Sequence, residues 1–216
     1  MKKNPFVENQ KGFTLVELMF VGFLLPLVGM AIFLLLDSSL DIFHYNNVYS
    51  KLNEGAMQTF RSLSRELGQT SSLSSPSHIT ISNTGVSGTS IVTFQIPVDW
   101  DSDGDVITAS ANPSVEWGAY TEVGQTTSGN LNYAIRYRII ANAQGINELW
   151  REVMNAFSGG QVVSSKVLVS DIQTFTVSKN SNQATITLTL QATEPISTRV
   201  FSASFNHNVM LRNDVS

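Results

Sequence analysis

The chain has 216 residues, a formal net charge of −4 and no cysteine. Disulfides and thiolate metal sites are therefore excluded, and any stapling must come from packing or an ion. Charged residues make up 14%, well below the roughly 25% usual for soluble domains, and 42% hydrophobic content permits a real core for one domain, or one domain with an appendage. No basic stretch or aromatic-basic cluster offers a nucleic-acid surface.

The first predicted element is apolar. Residues 18–36 carry no charge, and residues 13–17 extend the segment to about 24 residues, against roughly 20 needed to cross a bilayer core. Lys2, Lys3 and Lys11 precede it against Glu8 alone, so the basic end belongs in the cytoplasm and the rest of the chain outside. A secretory signal has a shorter apolar run and a small-residue cleavage site; Leu34-Leu35-Leu36-Asp37 offers none. A plain anchor accounts for the length but not for Glu17, because a carboxylate in the bilayer costs about 2.5 kcal/mol or more and calls for a partner. A cut between Gly12 and Phe13 would create one. The new α-amino group of Phe13 would lie about one helical turn from Glu17. In a bundle of such helices, the amine of one subunit can meet the carboxylate of its neighbour.

The run Lys11-Gly12-Phe13-Thr14-Leu15-Val16-Glu17 resembles the cleavage and methylation signal of type IV prepilins: a short basic leader, Gly-Phe, a few apolar or hydroxyl residues, Glu, then an apolar helix. The resemblance implies that a prepilin peptidase cuts after Gly12 and methylates the amine of Phe13, and that Glu17 forms the assembly salt bridge. The leader, residues 1–12, carries three Lys and one Glu, so its loss takes the net charge from −4 to −6. Residues 13–36 then form a transmembrane and assembly helix. Major pilins usually carry their proline deeper in this helix, whereas Pro26 sits early, between Gly22 and Gly29. Proline inside a helix removes a hydrogen bond, and the two glycines share a face that permits close helix contact.

Residues 37–70 are expected to continue the helix as an amphipathic half. Leu40, Phe43, Val48, Leu52, Ala56, Phe60, Leu63 and Leu67 recur mostly at three- or four-residue steps. Gly55 weakens the stripe modestly, and Gly68 is a plausible stop. A single helix over 13–67 would be about 80 Å long. The head, 71–216, reads as β-rich. A Ser/Gly-rich loop at 72–90 surrounds a short strand at 78–82, and further strands are predicted at 91–96, 131–141, 146–153, 172–178, 184–191 and 199–211. Turns at 142–145 and 179–182 mark two hairpins. The predicted fold class is α+β, a long N-terminal helix packed on an antiparallel sheet.

Arg61 to Leu67, Tyr137-Arg138-Ile139, Leu149-Trp150-Arg151, residues 167–172 with Phe175, and Leu211-Arg212-Asn213 are similar to segments of PilW-type minor pilins and J-type minor pseudopilins of type II secretion. That resemblance implies a subunit that helps initiate a filament. Its partners would be other minor and major pilins, the prepilin peptidase and the inner-membrane assembly platform. It would reside in the inner membrane and later near the filament tip. Tip-capping subunits often lack the carboxylate, so Glu17 implies a place beneath the cap. A major pilin, a type II secretion pseudopilin and an adhesin or DNA-uptake pilin are the alternatives.

Asp99, Asp101, Asp103 and Gly104 match the opening of an EF-hand-type loop, and Asp105 can add its carbonyl or side chain. Alternate carboxylates can converge on calcium, with glycine at the sharp turn. The twelfth position is Ser110 rather than a bidentate Glu, so Glu116 would have to substitute from the next segment. The competing reading is an Asp-Gly hairpin turn. His44, His78 and His207 lack metal-ligand spacing, and the three Trp residues read as packing. Arg136, Arg138 and Arg151 read as solvated strand positions. Without a hydrolase elbow or phosphate loop, no catalytic residue is expected.

Overall fold

The helix α1, Leu15–Leu67, is continuous over 53 residues and takes Pro26 within it. Its start is set chemically. Thr14 and Glu17 form a reciprocal capping box, with the Thr14 amide donating to Glu17 Oε2 at 2.9 Å and the Glu17 amide donating to Thr14 Oγ1 at 3.3 Å. Its end falls where predicted: Gly68 N donates to Ser64 O at 2.9 Å, and the turn then tightens, with Gln69 and Thr70 bonding to Glu66 and Leu67. The computed structural model describes residues 12–72, 77–83, 88–107, 114–122, 129–193 and 199–212. Most of the predicted leader, the predicted twelfth loop position Ser110 and Asn213 lie outside these.

The chain divides into two units, Met1–Asn47 and Val48–Ser216. In the first, residues 12–43 are all exposed. Leu40 and Phe43, predicted to begin a packed stripe, are 57% and 65% exposed, so the stripe is shorter than its periodicity suggested. It begins with the half-buried Val48 and continues through buried Leu52, Ala56, Phe60, Leu63 and Leu67. Gly55 has a packing reason: a Cβ there would come within 3.0 Å of Val169 Cγ2.

After the helix, eleven strands follow among the described residues. They are β1 (Ile79–Asn83), β2 (Ser90–Phe94), β3 (Ile96–Pro97), β4 (Trp117–Ala119), β5 (Asn130–Leu131), β6 (Ala134–Ala141), β7 (Asn147–Met154), β8 (Val162–Ser170), β9 (Ile172–Asn180), β10 (Gln183–Thr193) and β11 (Val200–Met210). They form a five-stranded sheet in the order β1-β2-β6-β7-β8, a three-stranded sheet β11-β10-β9 and a small sheet β3-β4-β5. The paired strands are antiparallel. The α+β class is as expected.

Strand β10 shows the two-residue period most clearly. Ala184, Ile186, Leu188 and Leu190 are buried, while the half-buried Thr185, Thr187 and Thr189 hydrogen-bond across to Asn208, Asn206 and Ser204. Its hairpin with β9 turns through Ser181 and Asn182 alone, a tighter link than the four residues predicted. The β6–β7 hairpin turns at 142–145 as predicted, with Asn142 N bonded to Ile146 O at 2.9 Å and Gly145 at φ 78°. Strand β8 had no prediction. It is an edge strand with a mostly exposed, nonalternating pattern. A single residue, Asp171 at φ 61°, then carries the chain from β8 into the three-stranded sheet.

Candidate functional site

Three groupings bear on function. The first is the N-terminal stretch. Gly12, Phe13 and Thr14 precede the helix in exposed, non-helical backbone, and Phe13 is 84% exposed. The Gly12–Phe13 peptide is therefore presented outside the hydrogen-bonded helix. Three residues on, Glu17 accepts both the amide and the hydroxyl of Thr14 at 2.9 Å. The partner expected for Glu17 is the Phe13 amine that cleavage would create; in the uncut chain Thr14 fills that place. The signal was legible, since Thr-x-x-Glu directly before an apolar run is a capping-box signature. A carboxylate at a helix N-terminus also complements the helix dipole. The helix that follows is long and apolar enough to cross a membrane, and its apolar stretch is not buried against the rest of the chain.

The second grouping is the acidic loop between β3 and β4. Gly104 N bonds to Asp99 Oδ2 at 3.1 Å, Asp105 N to Asp103 Oδ1 at 3.0 Å, and Ile107 N to Asp105 Oδ1 at 2.7 Å. Ser102 and Gly104 take left-handed backbone, φ 63° and 95°, and only the glycine does so without strain. Carboxylate oxygens of Asp99, Asp101 and Asp103 lie within 4.8 Å of one another. Asp105 is not among that trio, because its side chain closes the turn at Ile107. Glu116 does return to the loop. It is buried and accepts the Trp100 amide at 3.4 Å, and its backbone bonds Val98 and Val106. The loop also walls a cavity of about 410 Å³ that Arg65, Gln69, Tyr120 and Arg212 share.

The third grouping went unpredicted. Glu66, on the last turns of α1, is buried against Arg151 of β7. Arg151 Nε and Nη2 donate to Glu66 Oε1 at 3.0 and 2.7 Å, and Tyr137 OH of β6 donates to Glu66 Oε2. The remaining guanidinium donors reach Thr121 O and Tyr120 O, both at 2.9 Å. Burial opposes the charge on Arg151, but the adjacent Glu66 carboxylate outweighs it and raises the pKa. Burial pushes the Tyr137 phenol well above its ordinary value of 10.0. Arg151 is thus a buried clamp between helix and sheet and not a solvated strand residue. Arg136 and Arg138 are paired as well, both on Glu152, at 2.6 and 2.8 Å. Burial works against the Glu152 charge, yet hydrogen bonds from Arg138 and Arg136 hold its pKa below 4.5.

Of the three tryptophans, Trp117 stacks on His78 at 4.0 Å, Trp150 donates to Glu148 at 3.1 Å, and Trp100 is 48% exposed within the acidic loop. These features define the class: a single long apolar N-terminal helix that runs into an antiparallel β-sheet domain, a layout compatible with a pilin-like protein and with a membrane anchor bearing a head. No family model, curated protein or solved structure matches the chain.

Proposed function

We propose that the chain is a minor pilin or minor pseudopilin, a structural subunit that primes a type IV pilus or related filament. One observation carries the reading: an exposed Gly12–Phe13 bond stands directly ahead of a membrane-length helix whose first turn holds Glu17. Hydrolysis there leaves a carboxylate on Gly12 and an ammonium group on Phe13. The deprotonated amine then takes a methyl group from a sulfonium methyl donor supplied to the peptidase, the sulfonium C–S bond breaking as the N–C bond forms, and the methylated amine stays cationic. Before assembly, Glu17 satisfies its own helix N-terminus through Thr14. Within a bundle, the same carboxylate pairs with the Phe13 ammonium of a neighbouring subunit, and desolvation there strengthens the attraction. The exposed apolar surface of residues 15–43 is covered first by lipid and then by other pilin helices. Tip-capping pilins often lack this carboxylate, so the presence of Glu17 supports a position beneath the cap.

Two roles for Glu17, capping and pairing, are separable by substitution. Glu17→Gln keeps the capping box, which accepts Gln as well as Glu, and removes the charge. The expected result is at least a tenfold loss of the subunit from sheared filaments, with normal levels in the membrane. That loss corresponds to about 1.4 kcal/mol. Incorporation of Glu17→Gln at wild-type levels would reduce Glu17 to a helix cap and remove the pairing mechanism.

A further inference from the structure

We propose that the acidic loop is a calcium site whose side-chain ligands are Asp99, Asp101 and Asp103. The observation that carries it is the state of Asp99. This residue is 8% exposed, its Oδ2 is committed to Gly104 N at 3.1 Å, and its Oδ1 is buried with no hydrogen-bond partner. A buried carboxylate oxygen without a donor carries a penalty unless a cation neutralises it. Among the described residues, no basic side chain pairs with Asp99.

The surroundings favour a divalent ion over a lysine or arginine. Oxygens of Asp99, Asp101 and Asp103 lie within 4.8 Å of one another. Calcium–oxygen bonds of about 2.3–2.6 Å span that separation. Glu116, 2% exposed, adds a second buried carboxylate at the base of the loop, against the Trp100 amide. It stands outside the trio and deepens the negative field. Carboxylate oxygens are hard ligands, and a partly exposed, irregular set suits calcium better than magnesium, which demands near-ideal octahedral geometry. Exposed Asp101 and Asp103 leave the ion open to water, which points to weak binding at about 10⁻⁴–10⁻³ M. The ion would staple the excursion between β3 and β4 in a chain that has no disulfide.

The loop carries its own probe. Trp100 lies between two of the ligands in sequence and sensitises the luminescence of bound terbium, a calcium surrogate. The test uses the full chain in detergent micelles, stripped with a chelator and titrated with Tb³⁺. The expected result is tryptophan-excited emission that Ca²⁺ displaces and equimolar Mg²⁺ does not, with a Ca²⁺-dependent rise in melting temperature. Asp101→Asn and Asp103→Asn, both at exposed positions, should weaken Ca²⁺ displacement at least about tenfold with an unchanged circular-dichroism spectrum. Absent sensitised emission, emission indifferent to Ca²⁺, or unchanged affinity in both variants would overturn the proposal. Filament assembly is not the readout, so failure here leaves the proposed subunit role standing.

Discussion

One helix, α1, is built for two different solvents. Residues 15–43 expose every side chain, from Leu15 to Phe43. Residues 48–67 bury a stripe from Leu52 to Leu67 and close on the Glu66–Arg151 clamp. Helical geometry is common to both halves, and composition separates them. Residues 18–36 of the upper half are apolar on all sides, which suits a surrounding lipid or bundle. In the lower half, the buried face is mostly apolar, joined by Thr59 and Glu66, and most polar residues take the other face. Helix propensity alone does not decide where a helix belongs; the distribution of apolar surface around it does.

The comparison breaks most readily at the clamp. Arg151→Ala leaves Glu66 buried and uncompensated, at a cost of about 3–5 kcal/mol, and denaturant unfolding of the head should register it. A triple replacement, Glu66→Leu with Tyr137→Phe and Arg151→Met, should recover part of that loss, because apolar residues of similar volume avoid the desolvation cost and leave no buried phenol without an acceptor. A small effect of Arg151→Ala would mean that apolar packing alone holds the lower half. A matched pair of leucines comes next. Leu63→Ala removes a fully buried side chain and should cost about 2–5 kcal/mol, whereas Leu25→Ala, at a 70% exposed site, should change head stability by less than about 0.5 kcal/mol. Equal effects from the two would erase the distinction between the halves.

Much of this division was legible in the sequence. The length of the apolar run, the stripe from Val48 to Leu67, the stop at Gly68 and the period of β10 all follow from local pattern. The stripe was extended too early because Leu40 and Phe43 keep the spacing of a packed face, and spacing does not reveal whether anything lies opposite. Strand β8 was missed because an edge strand containing Ser164, Ser165 and Lys166 buries little and so shows no alternation. The clamp was hidden for another reason. Glu66, Tyr137 and Arg151 meet across 71 and 85 residues of chain, and no local rule joins them. Yet the segments that carry them were already singled out by their likeness to minor pilins. At the loop, the spacing of Asp99, Asp101 and Asp103 was readable, but the burial that sets Asp99 apart from the other two was not.

If the chain is a pilin subunit, its helix begins life behind a leader and is cut to expose a charge. Intact-mass and N-terminal peptide mass spectrometry of the protein from its native membrane tests it directly. The expected product is a mature chain that starts at Phe13 and carries a methyl group on its α-amine. A chain that retains Gly12 joined to Phe13, or one cleaved beyond the apolar helix, would contradict it.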